Sequence, residues 1–193
     1  SDPRLEGGAF YLGSEELENK IKKTIQYYLD YLDLTSKDLI LSGLSMGTFP
    51  SLYYGAAFEP CAVIVGKPLA NIGTIAKRGR LDAPGVFNTS YDILRHQTGG
   101  VSYQHMDDLD QRFWNAFKKA NFINTTFGLS YMKDEDMDSK AYDQLVEHLC
   151  YTGAKILSKG TSGRHNDDTD TNVAWFLHFY NMVLREEFGR GDI

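Results

Sequence analysis

Leu39-Ile40-Leu41-Ser42-Gly43-Leu44-Ser45-Met46-Gly47 passes from a short apolar run into a Gly-x-Ser-x-Gly pentapeptide, and the next residues lead toward Phe58. Leu39 to Leu41 predicts a buried strand ending at Gly43, and Met46 to Phe58 predicts a helix. Pro50 is compatible with that helix because it falls in the first turn, where a backbone N–H has no partner to lose. A serine is thereby placed at a tight turn between strand and helix. Gly43 and Gly47 are expected to remove side chains that would collide there. Further out, Cys61-Ala62-Val63-Ile64-Val65, closed by Gly66, predicts a second strand. Phe127 to Met132 and Ala154 to Leu157 predict two more.

Helical spacing fills the intervals. Ser14 is a good N-cap with Glu15 and Glu16 behind it, and Leu17, Ile21, Ile25, Tyr28 and Leu32 recur at helical period. Met106, Leu109, Phe113, Phe117 and Ala120 mark another helix, and Tyr142 to Leu149 the heart of a third. Thr171 or Asp170 can cap a final one running through Val173, Phe176, Leu177, Tyr180 and Leu184. From Lys67 to about Gln104 the pattern is irregular, an insertion suited either to a lid or substrate-recognition element or to a structural excursion. With no internal repeat, alternating strands and helices predict one α/β domain over 1–193 with a largely parallel sheet.

Composition narrows the function. The formal net charge of -6 offers no nucleic-acid footprint, and Lys77-Arg78-Gly79-Arg80, the one compact basic run, reads as a solvated loop. No stretch reaches the roughly 18 apolar residues of a membrane span. The polar opening Ser1-Asp2-Pro3-Arg4 is unlike a secretory leader, so a cytoplasmic location is expected. Cys61 and Cys150 cannot form a disulfide framework, and both read as small buried hydrophobes. Asn88-Thr89-Ser90 and Asn124-Thr125-Thr126 spell glycosylation triplets, and Arg190-Gly191-Asp192 an adhesion tripeptide; all three are read as chance.

The pentapeptide carries the chemistry. A strand before it and a helix after it are what the nucleophile elbow of an α/β-hydrolase requires, and this fold class is expected here. Ser45 would stand on a strained turn with its hydroxyl above the sheet. The Met46 N–H would face the same space as an oxyanion donor, helped by the helix N-terminus. A serine hydroxyl needs a base, found in this fold after the acid in chain order. His96 and His105 precede the third strand, and His148 and His178 fall inside helices. His165 lies in Gly160-Thr161-Ser162-Gly163-Arg164-His165-Asn166, just after the last strand, and is the expected base.

The acid should follow the third strand, where Lys133-Asp134-Glu135-Asp136-Met137-Asp138 supplies four carboxylates. Spacing alone does not separate Asp134, Glu135 and Asp136; the remainder of the run reads as a solvated turn capping the next helix. Asp134-x-Asp136-x-Asp138 and Asp168-x-Asp170-x-Asn172 imitate the start of a calcium loop. Such a loop needs Gly at its sixth position and Glu at its twelfth, where these runs have Ser139 and Leu145, or Val173 and Phe179. No metal or cofactor site is therefore assigned.

Longer strings carry a family resemblance. Leu41-Ser42-Gly43-Leu44-Ser45-Met46-Gly47-Thr48-Phe49, Leu52-Tyr53-Tyr54-Gly55 and Gly66-Lys67-Pro68-Leu69-Ala70-Asn71 resemble the second accessory secretion protein family of Gram-positive bacteria. So do Gln111-Arg112-Phe113-Trp114, Tyr131-Met132-Lys133-Asp134 and Gly163-Arg164-His165-Asn166. The resemblance implies a member of the accessory Sec system that glycosylates and exports serine-rich-repeat adhesins. It implies an α/β-hydrolase-like domain with a Ser-Glu-His triad that O-acetylates N-acetylglucosamine on the adhesin, from an acetyl donor that the residues do not identify. Carried onto this chain it assigns Ser45 and His165, and places the glutamate at Glu135. It also implies sister accessory proteins, the accessory motor ATPase and the serine-rich-repeat glycoprotein as partners, at the inner face of the membrane. A related capsule-biosynthesis family shares the domain. Pro50-Ser51 departs from the smaller residues of the pattern, within the first helical turn.

In the complete fold the nucleophile strand is the fifth of about eight. With one helix and a short lead-in before Leu39, the chain reads as the C-terminal part of a larger fold. Gly7-Gly8-Ala9-Phe10-Tyr11-Leu12-Gly13 is then the loop entering the helix ahead of the nucleophile strand. Three functions are expected in turn: an acyltransferase passing an acetyl group from Ser45 to a sugar hydroxyl; a serine esterase with water as acceptor; and a non-catalytic assembly subunit using the same fold as a binding surface.

Overall fold

The computed structural model describes residues 10–81, 88–167 and 169–190. Gly7-Gly8-Ala9, Asp168 and Gly191-Asp192 lie outside them. Helix α1 spans Glu15–Tyr31, β1 Ile40–Leu44, α2 Thr48–Phe58 and β2 Ala62–Gly66. Three helices follow, α3 Ile72–Leu81, α4 Asn88–Thr98 and α5 Tyr103–Phe117. Then come β3 Thr126–Met132, α6 Asp136–Leu149, β4 Lys155–Thr161 and α7 Thr169–Phe188.

The four strands form one parallel sheet in the order β1-β2-β3-β4. Side chains alternate across each strand, so β2 sends Val63 and Val65 to one face and Ala62 and Ile64 to the other. Every residue of β2 is buried, as a strand covered on both faces requires. The larger core sits under α2–α6, where Phe49, Phe113, Phe117, Phe122 and Phe127 are almost fully enclosed. Their rings meet edge-on, tilted or stacked at centroid separations of 4.8–6.1 Å, geometries that each add about 1 kcal/mol beyond simple burial. The other face is covered by α7 through Phe179 and Val183. Gly128 permits this approach, since a Cβ there would lie 2.9 Å from that of Phe179.

Several expectations need correction. Among the described residues the stretch 67–104 is largely helical: it carries α3 and α4, and the basic run Lys77-Arg78-Gly79-Arg80 is helical rather than a loop. Gly73 had obscured α3, yet it is needed there, because a Cβ would meet the Met106 carbonyl oxygen at 2.1 Å. Ser14 caps α1, accepting from the Leu17 N–H at 3.3 Å, but that helix buries only Glu18 and Leu29. Its expected apolar stripe stays open, with Tyr28 and Leu32 more than half exposed. Cys61 is buried and Cys150 exposed. Among the described residues no helix is long and apolar enough to cross a membrane.

Candidate active site

The carboxyl ends of parallel strands leave a crevice in which ligands bind in open α/β sheets, and Ser45 and His165 meet there. The chain turns sharply after Leu44, and Ser45 takes φ 50°, a left-handed conformation costly for a residue with a side chain. Residues Ser45–Gly47 form a single 3-10 turn that runs directly into α2. Thr48 locks it, donating its hydroxyl to the Ser45 carbonyl at 2.7 Å and accepting from the Leu69 N–H at 2.8 Å. The Met46 N–H lies in the first turn, where amide donors have no acceptor within the helix. The two elbow glycines differ. A Cβ on Gly43 would meet the Gly47 carbonyl oxygen at 2.2 Å, whereas one on Gly47 would meet nothing within 4 Å. The expected collision exists on the strand side alone.

His165 sits past β4 and is 4% exposed. Its Nε2 lies 2.7 Å from Ser45 Oγ and its Nδ1 lies 2.6 Å from Asp138 Oδ1. A carboxylate can only accept, so the proton belongs on Nδ1 and the Nε2 lone pair faces the serine hydroxyl. Asp138 is wholly buried, and its other oxygen accepts from the Met132 N–H at 3.4 Å. Burial pushes its carboxyl above the usual range, opposed by the hydrogen bond and charge of His165; Glu135 pushes it further up. Chemically, such an arrangement could serve as a base oriented on one side by an acid and aimed on the other at a nucleophile.

The carboxylate beside His165 is therefore Asp138, not Glu135. Glu135 occupies the N-cap of α6, and its side chain makes no capping hydrogen bond to the helix. Three residues on, Asp138 begins the stripe Asp138, Ala141, Leu145, Leu149, which faces the sheet and is buried throughout. Helix phase thus turns Asp138 inward over the end of β3. That stripe was a readable signal: a lone carboxylate in register with three apolar residues. Asp134 has another task, accepting from the Gly163 N–H at 2.7 Å and so tying down the start of the His165 loop. Asp136 opens the first turn of α6, where an acidic side chain complements the helix dipole.

Lys67 was missed altogether. It follows β2 directly, is 5% exposed, and donates from Nζ to the main-chain carbonyls of His165 and, at 3.3 Å, Asp167. Its one sequence signal is a cation placed immediately after an apolar strand and a glycine.

A parallel sheet flanked by helices, with a serine at the strand–helix elbow and a histidine past the last strand, defines an α/β-hydrolase-like protein. The chain superimposes on the capsule O-acetyltransferase of Neisseria meningitidis serogroup A with a TM-score of 0.69, at 19% identity, over 92% of this chain and 68% of that one. The family model described as Asp2: Accessory Sec system GspB-transporter matches residues 1–190. This chain belongs to that family of accessory Sec system proteins. It is 52% identical over 190 residues to the accessory Sec system protein Asp2 of Streptococcus gordonii, covering 98% of this chain and 37% of the relative. Against the protein of the same name from Staphylococcus aureus it is 46% identical over 189 residues, covering 98% and 36%. A chain of the Glycosylation Associate Protein (Gap123) complex from Streptococcus agalactiae superimposes with a TM-score of 0.92 at 44% identity, over 99% of this chain and 37% of that one. The chain thus spans somewhat over a third of the length of these relatives.

Proposed function

We propose that this domain is a serine-dependent O-acetyltransferase, with Ser45 as nucleophile, His165 as base and Asp138 as the carboxylate orienting it. The observation that carries the reading is the continuous chain of hydrogen bonds, 2.7 Å from Ser45 to His165 and 2.6 Å from His165 to Asp138, ending on a serine held at positive φ. In the first step Ser45 Oγ attacks the acetyl carbonyl carbon while its proton passes to His165 Nε2. The Met46 N–H faces the oxyanion that forms. Collapse of the tetrahedral intermediate expels the donor's leaving group, which takes the proton from His165. In the second step an acceptor hydroxyl gives its proton to His165 Nε2 and attacks the acetyl-serine carbonyl carbon; the tetrahedral intermediate then collapses, and Ser45 Oγ leaves with the proton returned from His165. Asp138 stabilises the imidazolium in both steps without taking its proton.

The acceptor proposed is a hydroxyl of N-acetylglucosamine on serine-rich-repeat glycoproteins, and the partners are sister accessory Sec proteins and the accessory motor ATPase, at the cytoplasmic side of the membrane. Membership of the accessory Sec family supports this choice, as does a relative found in a complex described as glycosylation-associated. That the same fold serves a capsule O-acetyltransferase supports acetyl transfer over other acyl chemistry.

The test compares full-length wild type with Ser45→Ala, following sugar acetylation and adhesin secretion in the same cells. Acetylation is expected to disappear while the variant stays folded and secretion continues. Unchanged acetylation would sink the transferase. Release of free acetate at the same rate with and without the glycosylated acceptor would favour an esterase.

A further inference from the structure

Ser45 and Lys67 stand at matching places on neighbouring strands. β1 and β2 are parallel with Leu44 opposite Gly66, so each residue is the first beyond the paired register. Both are left-handed, at φ 50° and 57°. Side-chain-bearing residues hold that conformation only where their surroundings enforce it, and such strain gathers at functional sites. Both side chains then turn to one residue. Ser45 Oγ meets the His165 ring, and Lys67 Nζ meets the His165 backbone.

A buried ammonium is costly unless its donors are matched. Lys67 offers three, and two of its acceptors are carbonyls at either end of the short turn His165–Asp167. That turn is closed by the Asp167 N–H donating to the Arg164 carbonyl at 2.9 Å, and by the Arg164 N–H donating to Asp167 Oδ2 at 2.9 Å. Lys67 is anchored in turn, since its own N–H donates to the Ser130 carbonyl at 2.8 Å, in the neighbouring strand β3. The loop is therefore pinned at its start by Asp134 and from beneath by Lys67, while Asp138 orients only the ring.

We infer that Lys67 is a positioning residue: it holds the main chain of the His165 loop at the height that brings Nε2 within hydrogen-bond reach of Ser45. The inference rests on the serine-nucleophile reading of the site. Its consequence is kinetic, because a reacting group displaced by about 1 Å can lose on the order of 100-fold in rate.

The experiment uses full-length protein and a fluorophosphonate probe, which is attacked by an activated serine with loss of fluoride. Labelling rate at Ser45 is measured alongside the thermal unfolding midpoint. Wild type should label at Ser45 and Ser45→Ala should not; failure of wild type to label would overturn the nucleophile reading itself. Given wild-type labelling, Lys67→Met and Lys67→Cys should stay folded yet label about 100-fold more slowly. Alkylating Lys67→Cys with 2-bromoethylamine rebuilds an ammonium at nearly the native length and should restore most of the rate. Wild type treated identically controls for Cys150, which is exposed. A merely stabilising lysine would leave the labelling rate of the folded variants near wild type, and that result would overturn the proposal. So would a folded, aminoethylated variant that stays slow. If Lys67→Met does not fold, Lys67→Gln, which keeps a neutral donor, carries the same comparison: slow labelling supports the inference and wild-type labelling overturns it.

Discussion

His165 Nδ1 and Asp138 Oδ1 lie 2.6 Å apart on the side of the imidazole away from Ser45, with the carboxylate wholly enclosed. That contact fixes which nitrogen carries the proton, and therefore which one can take a proton from the serine. Asp138→Asn should keep the fold but favour the wrong tautomer, lowering acyl transfer by about 1,000-fold or more. Glu135→Gln, at the helix cap, should cost about 10-fold at most by comparison. Initial rates of acetyl transfer for the two variants decide between them. The reverse order would return the role of acid to Glu135.

Residues that act as one unit fail as one unit. Ser45→Ala and His165→Ala should each remove nearly all transfer, and the double variant should be little worse than either. Ser45→Ala removes one oxygen and no core volume, so its stability should stay within about 0.5 kcal/mol of wild type. Losses that multiplied in the double variant would mean that the two side chains act separately.

The elbow glycines should respond in opposite ways. Gly43→Ala drives a methyl into the Gly47 carbonyl and should destabilise by about 3 kcal/mol, disrupting the turn that presents Ser45. Gly47→Ala enters open space at φ -70°, ψ -15°, and should be neutral or stabilise by up to about 0.5 kcal/mol. Urea unfolding of the two variants tests the contrast; equal destabilisation would contradict the geometry.

Asp110 gives the stability a pH dependence away from the site. It is 8% exposed and accepts from the Gly73 N–H at 2.7 Å and the Thr74 hydroxyl at 2.6 Å, joining α5 to the first turn of α3. Burial outweighs these hydrogen bonds and pushes its carboxyl up to about 6 from 3.8. Between those values the folded state binds more protons than the unfolded one, so stability falls as pH rises from about 4 to about 6. The span of roughly two units corresponds to at most about 3 kcal/mol. Asp110→Asn cannot ionise, so the stability of wild type relative to this variant should decline across that window and level off above it. Unfolding midpoints measured from pH 4 to pH 8 check the sign.

Much of this architecture was legible in the residue pattern, because its causes are local. Apolar runs such as Cys61–Val65, short and closed by a glycine, read as buried strands, and a Gly-x-Ser-x-Gly pentapeptide between strand and helix reads as a tight turn. His165 was distinguishable because each other histidine fell in a helix or ahead of the third strand. Elsewhere, local signals misled. Gly73 and Gly79 weakened the helical pattern of α3, although packing against Met106 makes the first of them necessary. The open stripe of α1 shows the reverse case, a helical period that packing within the described residues leaves unused.

The places of Ser45 and His165 were legible because each is set by the element it terminates or follows, and the structure brings the two side chains within 2.7 Å. Four carboxylates within five residues all fit an acid placed after the third strand; helical register with Ala141, Leu145 and Leu149 sets Asp138 apart, but that this register carries it to His165 needed the packing of α6 against the sheet. Lys67 needed more still. Two of its partners are main-chain carbonyls 98 and 100 residues away, which carry no side-chain signature, so that pairing exists only once β2 and the His165 loop are brought together. Sequence can specify what a residue is able to do; which backbone lies within reach of it is set by packing.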